Sequence, residues 1–492
     1  MPTPFAIRGS VVVHSPSTVD DDVAGEDGGL KRSITGGQLF FYTLGDVLGS
    51  GIYVLIGLVA AAVGGAFWLA FAVGVSVAAI TGSAYAELVT KYPQAAGSSL
   101  YVQKAFGNRA LTFLVTVSFL SASFAASGSL AAGFASYFSE LWAAPPALLV
   151  SLVFVAVLVL VNYIGITESV VMNMLMTFVE LSGLLIVIGI AIYFVAQGDA
   201  DFGTLTDISV AGNPALAILA GVALSFFAMT GFENTANVAE ETIDPYTSFP
   251  RSLIGGMLVA GVVYVLVSMA AALTVPTDQL AGSDVALLEV VKQGILPFST
   301  DVMTTVFTII ALVAITNTTL VTLVTQPRIL YGMAREDVVP GVFAKVHPTR
   351  RSPWFGLLFS GLVVGALLVT GTLVLEAGGN LDLVNRLALV TVVFLLAIYA
   401  LVIGTCLKLR GRDEDERAFR ANTPLLVLGL LGNLAILYYV IDDDPASLLW
   451  CAALLAVGGV LYVVELAFGT RSRSRSAGSP GSTDSSDRLG NH

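Results

Sequence analysis

Between Gly36 and Phe468 the sequence is a succession of apolar windows. Each is close to the length of about 20 residues that a helix needs to cross the hydrocarbon core of a bilayer. Short stretches of Pro, Gly or charge divide them. They read as spans at roughly Gly36 to Ala62, Ala66 to Val89, Ala110 to Phe138, Pro146 to Ile164, Ser169 to Ala196 and Pro214 to Val238. Six more run roughly from Ser252 to Thr274, Val302 to Tyr331, Trp354 to Leu375, Val384 to Leu407, Pro424 to Ile441 and Ser447 to Phe468. The predicted fold class is therefore an all-α integral membrane protein of about twelve transmembrane helices. Only 12% of the 492 residues are charged and 56% are hydrophobic. A soluble domain carries about 25% charged residues, so this balance excludes a water-soluble enzyme, a nucleic-acid binder and a disordered scaffold.

The few charges first describe topology. With a cytoplasmic N-terminus, Lys292 and Arg386 are the only members of the 23 Lys and Arg residues that fall in outer loops. That is the positive-inside distribution, and it puts both termini in the cytoplasm of a multi-pass protein. The net charge of −12 sits mainly in tails and loops such as Asp20 to Asp22 and Asp442 to Asp444, so it carries little about a substrate. The first thirty residues lack a basic segment followed by a short apolar core, and no cleavable signal peptide is expected. The predicted organisation is an acidic disordered tail over 1–33, a ten-helix core over 34–409 and a cytoplasmic loop over 410–423. Helices eleven and twelve follow over 424–468, with a disordered tail over 469–492.

Two cysteines, Cys406 and Cys451, lie in apolar stretches, and His14, His347 and His492 all lie outside them. No disulfide framework, haem, resident metal or other cofactor is expected from such a set.

The first span contains a weak point, Gly49-Ser50-Gly51, at mid-membrane depth. Glycine costs about 1 kcal/mol relative to alanine inside a helix. In hydrocarbon a broken helix survives only where protein or a polar cavity satisfies the freed backbone groups. A break there would offer amide N–H groups at the positive end of the second half-helix, suited to a carboxylate, and carbonyls at the end of the first, suited to an ammonium group. Alternatively, the two glycines serve only close helix packing. A nucleotide-binding loop is excluded because Val54 stands where a third glycine is needed. The sixth span holds a second candidate break, Phe226-Phe-Ala-Met-Thr-Gly231-Phe-Glu233. Interruptions at corresponding positions of two halves are the sequence mark of an inverted-repeat transporter, here five helices plus five with two left over.

These residues resemble the amino acid/polyamine/organocation transporter superfamily over nearly the whole helical region. The first span is similar to the family's G-x-x-x-G-S-G-I-[FY]-x-L-x-G signature, beginning at Gly45. Tyr85-Ala-Glu-Leu88, Tyr92-Pro93, Gly97 and Tyr101 to Gly107 resemble the block that follows its second helix. Phe226 to Glu241 with Asp244-Pro245 and Pro250-Arg251 resemble its sixth-helix block, and Ala334 to Asp337 with Pro340 and His347 the loop after its eighth. The resemblance implies the leucine-transporter fold, alternating access, and amino acids or their amine derivatives as substrates. It implies that Gly49, Ser50 and Gly51 hold a substrate carboxylate. Carbonyls near Asp46, Val47, Phe227 and Ala228 would take the amino group, with Phe227 over the substrate and Thr230 lining its side-chain pocket beside Gly231.

Asp46, Glu180 and Glu233 are the ionisable residues deepest in the spans. A charge at the bilayer centre costs roughly 2.5 to 3.5 kcal/mol on insertion scales, so each needs a partner or a task. An apolar setting favours the neutral form of a carboxyl group, which makes all three proton-coupling candidates. Glu233 can equally be a structural acceptor for amides freed around Gly231, and Glu180 a hydrogen-bonded structural group. Several proton-coupled relatives carry a lysine at the Glu180 position, so this chain departs from that pattern. Asp46 lies one turn before the break, where it would attract an ammonium group. Thr318 and Thr319 correspond to the wall where sodium-coupled members of the fold place a cation, although threonines also bond their own backbone.

The expected function is a secondary carrier of amino acids in the plasma membrane, proton-coupled or exchanging, with a small-molecule substrate and the bilayer as partners and no catalytic residues. A polyamine or organic-cation carrier is the alternative, and a channel or a non-transporting amino acid sensor lies further off. Substrate identity and oligomeric state are not fixed by the sequence.

Overall fold

The computed structural model describes residues 32–94, 97–164, 170–208, 213–335, 339–348, 352–378, 382–412 and 416–468. All but two residues of the predicted N-terminal tail, the whole C-terminal tail, and Glu336 and Asp337 of the eighth-helix block lie outside the described residues.

The first span is two helices, α1 (Gly36–Val47) and α2 (Gly51–Val63), bent by 43°. It is followed by α3 (Trp68–Lys91), α4 (Gly97–Phe106), α5 (Arg109–Leu141), α6 (Ala147–Ile164), α7 (Val170–Gln197) and α8 (Pro214–Ala228). The second half comprises α9 (Pro245–Thr274), α10 (Thr277–Ala281), α11 (Ala286–Lys292), α12 (Thr300–Arg335), α13 (Trp354–Glu376), α14 (Leu383–Leu409), α15 (Thr423–Asp443) and α16 (Ala446–Phe468). Among the described residues ten unbroken helices are long and apolar enough to cross a membrane, and the bent pair makes an eleventh span. The twelfth expected crossing is α8 continued by a 3₁₀ segment, Phe232–Glu241. Among the described residues β-structure is limited to one isolated bridge, Ile34 to Thr242.

Helix starts follow their side chains. Thr35 and Gln38 form a reciprocal capping box on α1, Asn108 accepts from two amides at the start of α5, and Asn213 with Pro214 opens α8. The seventh span starts at Pro245, seven residues before the expected Ser252, because Pro245 occupies the favoured first position and Pro250 is accommodated inside the helix. Three short helices, α4, α10 and α11, occupy segments read as loops, and Tyr101 and Lys104 lie on α4. Their lengths fall below what a periodicity argument resolves.

The core is built around α1, α2, α3, α5, α9, α12 and α14, with α14 buried along most of its length. Glycines permit the tightest approaches, such as Gly133 against Val54 and Gly261 against Val75. Large apolar side chains of α15 and α16, including Tyr438, Leu449 and Val463, face outward.

The bundle is tied at both ends. At the end bearing Lys91 and Lys104, the basic face, Arg410 makes a two-pronged pair with Glu87 at 2.9 and 2.7 Å, and Ala421 N–H donates to the same carboxylate at 2.8 Å. Lys91 donates to the Leu409 carbonyl at 2.6 Å. At the opposite face Lys292 of α11 pairs with Glu140 of α5 at 2.9 Å and with Glu289 at 3.2 Å. Burial pulls the Lys292 ammonium down, but the hydrogen bonds it donates to these carboxylates outweigh that and hold its pKa above the ordinary lysine value. Arg386 pairs with Asp444 at the same face.

Candidate functional site

The helix α1 ends at Val47, and α2 begins at Gly51 with Ser50 as its N-cap. On the sixth span α8 ends at Ala228 and Gly231 stands at φ +113°, in the left-handed region that favours glycine. The two breaks touch. A Cβ on Gly231 would lie 2.5 Å from the Asp46 carbonyl oxygen, and one on Gly51 would lie 2.6 Å from the Ala228 Cα. Close backbone approach is therefore what these glycines supply.

A tyrosine bridges both breaks. The Tyr264 hydroxyl of α9 lies 2.5 Å from the Val47 carbonyl, 3.4 Å from that of Gly49 and 3.3 Å from that of Ala228. The Ser50 amide is also engaged, donating to Thr318 Oγ1 of α12 at 3.1 Å. At the second break the Gly231 amide donates to Glu233 Oε2 at 2.9 Å, and the Tyr399 hydroxyl of α14 donates to the same oxygen at 2.6 Å. Tyr399 packs edge-on to Tyr85 and tilted against Phe232, and Tyr85 is hydrogen-bonded to Ser98 of α4 at 2.6 Å.

Beside the breaks lies a small cavity of about 60 Å³. Asp46, Val47, Gly49, Gly51, Phe227 and Ala228 line it, together with Thr230, Gly231, Glu233 and Thr318. Its far wall is Phe119, Ser123 and Ala126 of α5, Thr322 and Thr325 of α12, and Thr391 and Leu395 of α14. Among the described residues the lining carries two carboxylates, Asp46 and Glu233, and no Lys or Arg.

Most of the predicted binding residues thus share one cavity, but not every expected atom is free for substrate. Ser50 does not line the cavity, and its amide is engaged by Thr318 Oγ1. The Val47 carbonyl is taken by Tyr264, and the Phe227 carbonyl accepts from the Thr230 hydroxyl at 2.7 Å. Thr318 and Thr319 do not converge. Thr318 faces the cavity, whereas Thr319 is buried outside it and donates to the Ile315 carbonyl at 2.7 Å. Glu180 also lies off the cavity, fully buried, with Oε1 accepting from Asn317 of α12 at 2.9 Å and its backbone carbonyl accepting from Tyr53 at 2.7 Å.

Comparison with known proteins places this arrangement. The amino acid permease family profile matches residues 34–476. The chain belongs to the amino acid permease family. This permease is 25% identical over 479 residues to the branched-chain amino acid permease BcaP of Bacillus subtilis, covering 93% of the present chain and 97% of that one. It is 26% identical over 458 residues to a methylthioribose transporter of the same species, covering 88% and 93%. Its fold matches a solved manganese transporter of Eremococcus coleocola with a TM-score of 0.56 at 13% identity, covering 88% of this chain and 92% of that one. The permease therefore has the leucine-transporter fold of the amino acid/polyamine/organocation superfamily.

Two residues that fasten the breaks were not singled out from sequence, Tyr264 and Tyr399. The available signal was a phenol isolated among apolar residues in mid-span, since a buried tyrosine hydroxyl needs a partner.

Proposed function

We propose that this permease is a secondary carrier that moves amino acids across the plasma membrane by alternating access, with its basic face in the cytoplasm. The observation that carries the reading is the meeting of two broken helices at one cavity that offers opposite polarities. The N-terminal end of α2, at Gly49 and Gly51, presents the positive end of a helix dipole, and Asp46 and Glu233 present carboxylates. A zwitterion needs both. With Ser50 N–H held by Thr318, the substrate carboxylate falls to the Gly49 and Gly51 side of the break, and Phe227 and Thr230 border its side chain.

The cavity wall reaches Phe119 and Thr325, toward the basic ends of α5 and α12. On the other side Gly57 of α2 is pressed against the Leu280 and Ser283 carbonyls of the α10–α11 hairpin, which the Lys292 clasp holds to α5. This supports an inward-facing state. Proton coupling is assigned to Glu180, held neutral or charged against Asn317 without touching substrate, with Glu233 and Asp46 as the other carboxyl groups able to take part.

Uptake of a labelled amino acid into proteoliposomes, with and without a pH gradient, tests the carrier. Accumulation or exchange of at least one amino acid is expected, and neither across a broad panel would overturn it. A polyamine or organic-cation carrier is the second reading, favoured by the two carboxylates in a lining that, among the described residues, holds no Lys or Arg. Competition by amines lacking a carboxylate, unmatched by amino acids, would favour it instead.

A further inference from the structure

Along one face of α7 the residues at i, i+4 and i+7 are Asn173, Thr177 and Glu180, all polar and all at most 1% exposed. In a helix of mean apolar character this is a polar seam. At about 1.5 Å per residue it runs roughly 10 Å, from one turn inside the basic end of α7 to mid-span at Glu180. None of the three residues lines the substrate cavity.

The seam is walled by α1 and α12. A Cβ on Gly45 would lie 2.0 Å from Thr177 Oγ1 and 2.9 Å from Asn173 Oδ1, so the α1 backbone lies directly on it. Asn317 of α12 closes the inner end by donating to Glu180. Two amides along it are incomplete: Asn173 has neither Oδ1 nor Nδ2 paired, and Asn317 Oδ1 is unpaired. Buried amides left so cost roughly 1 to 3 kcal/mol each, so an ordered water that pairs them would lower that cost. The Thr177 hydroxyl, donating to the Asn173 carbonyl at 2.8 Å, stands midway with an oxygen able to accept. The titratable groups facing Glu180 are the Tyr53 hydroxyl of α2 and the Tyr264 hydroxyl of α9, with Asp46 next to Gly45 on α1.

We propose that the coupling proton passes between Glu180 and the basic face through water held along Thr177 and Asn173, past Gly45, and not through the substrate cavity. The Glu180 carboxyl gives its proton to the seam water, and the carboxylate left behind keeps its bond from Asn317 Nδ2. Substrate and proton then share one conformational cycle but not one exit. This inference rests on the proton-coupled reading of Glu180 given above.

The test uses the full chain in proteoliposomes, carrying Thr177→Val or Asn173→Leu, which keep the branched shape and remove the polar atoms. Proton uptake and pH-driven accumulation are expected to fall at least tenfold, while exchange at equal pH and the thermal shift given by substrate stay at the wild-type level. Thr177→Ser, which restores the hydroxyl, is expected to recover proton flux. If Glu180→Gln abolishes proton flux while both seam variants keep it, the route is overturned and the role of Glu180 stands. If wild-type protein moves no protons, or Glu180→Gln leaves the flux unchanged, the coupling reading fails and the route with it. Equal losses of exchange and proton flux without serine rescue would make the seam structural and also overturn the route.

Discussion

The hydroxyl of Tyr264 reaches the carbonyl of Val47 at 2.5 Å, from a helix 217 residues away in sequence. Because the same hydroxyl lies within 3.4 Å of the Gly49 and Ala228 carbonyls, it fastens both breaks to α9. Tyr264→Phe leaves the fully buried phenyl ring in place and removes only the donor. An unsatisfied buried carbonyl costs about 1 to 3 kcal/mol, so a lower Tm in detergent and slower transport are expected together. A wild-type Tm and a wild-type rate would show that the bridge does not hold the breaks.

Glu233 answers to two donors at one oxygen, Gly231 N–H and Tyr399 O–H. Glu233→Gln keeps an acceptor there, so it is expected to fold with a stability close to wild type. Glu233→Ala orphans both donors and is expected to lose a few kcal/mol of stability by the same buried-donor penalty. Thermal melts without substrate separate the two variants. Equal behaviour of Gln and Ala would mean that the acceptor role is dispensable.

The outline of this fold could be read from sequence because its determinants are local and repetitive. Apolar windows set most span positions to within a few residues, and Gly49, Gly51 and Gly231 announced backbone that cannot continue as helix. What could not be read was long-range. Nothing near Ser50 reveals that Thr318 takes its amide, and nothing near Val47 reveals that Tyr264 takes its carbonyl. The sixth span also ended early for a reason that hydropathy does not contain. After Gly231 the chain tightens into a 3₁₀ segment whose Glu233 is held by α14, a contact between residues 166 apart.

The glycines at the breaks differ in what they tolerate. Gly231→Ala is strained by its φ of +113° and by a carbonyl oxygen 2.5 Å from the new Cβ, and Gly51→Ala meets the Ala228 backbone at 2.6 Å. Neither neighbour is a flexible side-chain end. Both variants are expected to abolish transport, whereas Gly37→Ala, with nothing within 4 Å, is expected to be silent. Radiolabelled uptake normalised to folded protein decides it, and an active Gly231→Ala would contradict the contact between the breaks.

The Lys292 clasp carries a pH signature. Its raised pKa means that the folded state binds the proton more tightly than the unfolded state. The resulting stability is complete below the free-lysine value of about 10.4 and is lost only as pH rises through the higher folded value. Lys292→Met should therefore lower Tm by the same amount at pH 6 and pH 8, with the difference from wild type shrinking above about pH 10.5. A difference that already vanishes between pH 6 and 8 would rule out the ammonium as its source.

At the basic face Glu87 of α3 and Arg410 beyond α14 form a largely buried ion pair, with side chains 9% and 13% exposed. Removing one member leaves the other charge without its partner in a low-dielectric site, which typically costs about 3 to 5 kcal/mol. Arg410→Met alone strands a carboxylate that still accepts from Ala421 N–H, and Glu87→Leu alone strands a guanidinium that still donates to the Ala421 carbonyl. The double variant removes both charges and replaces them with apolar bulk, so its loss is expected to be smaller than the sum of the two single losses by more than 1 kcal/mol. Thermal melts of the four proteins measure that coupling directly. Strict additivity would mean that the pair is solvated, and that the junction between α3 and the segment after α14 is held by Lys91 and the backbone contacts instead.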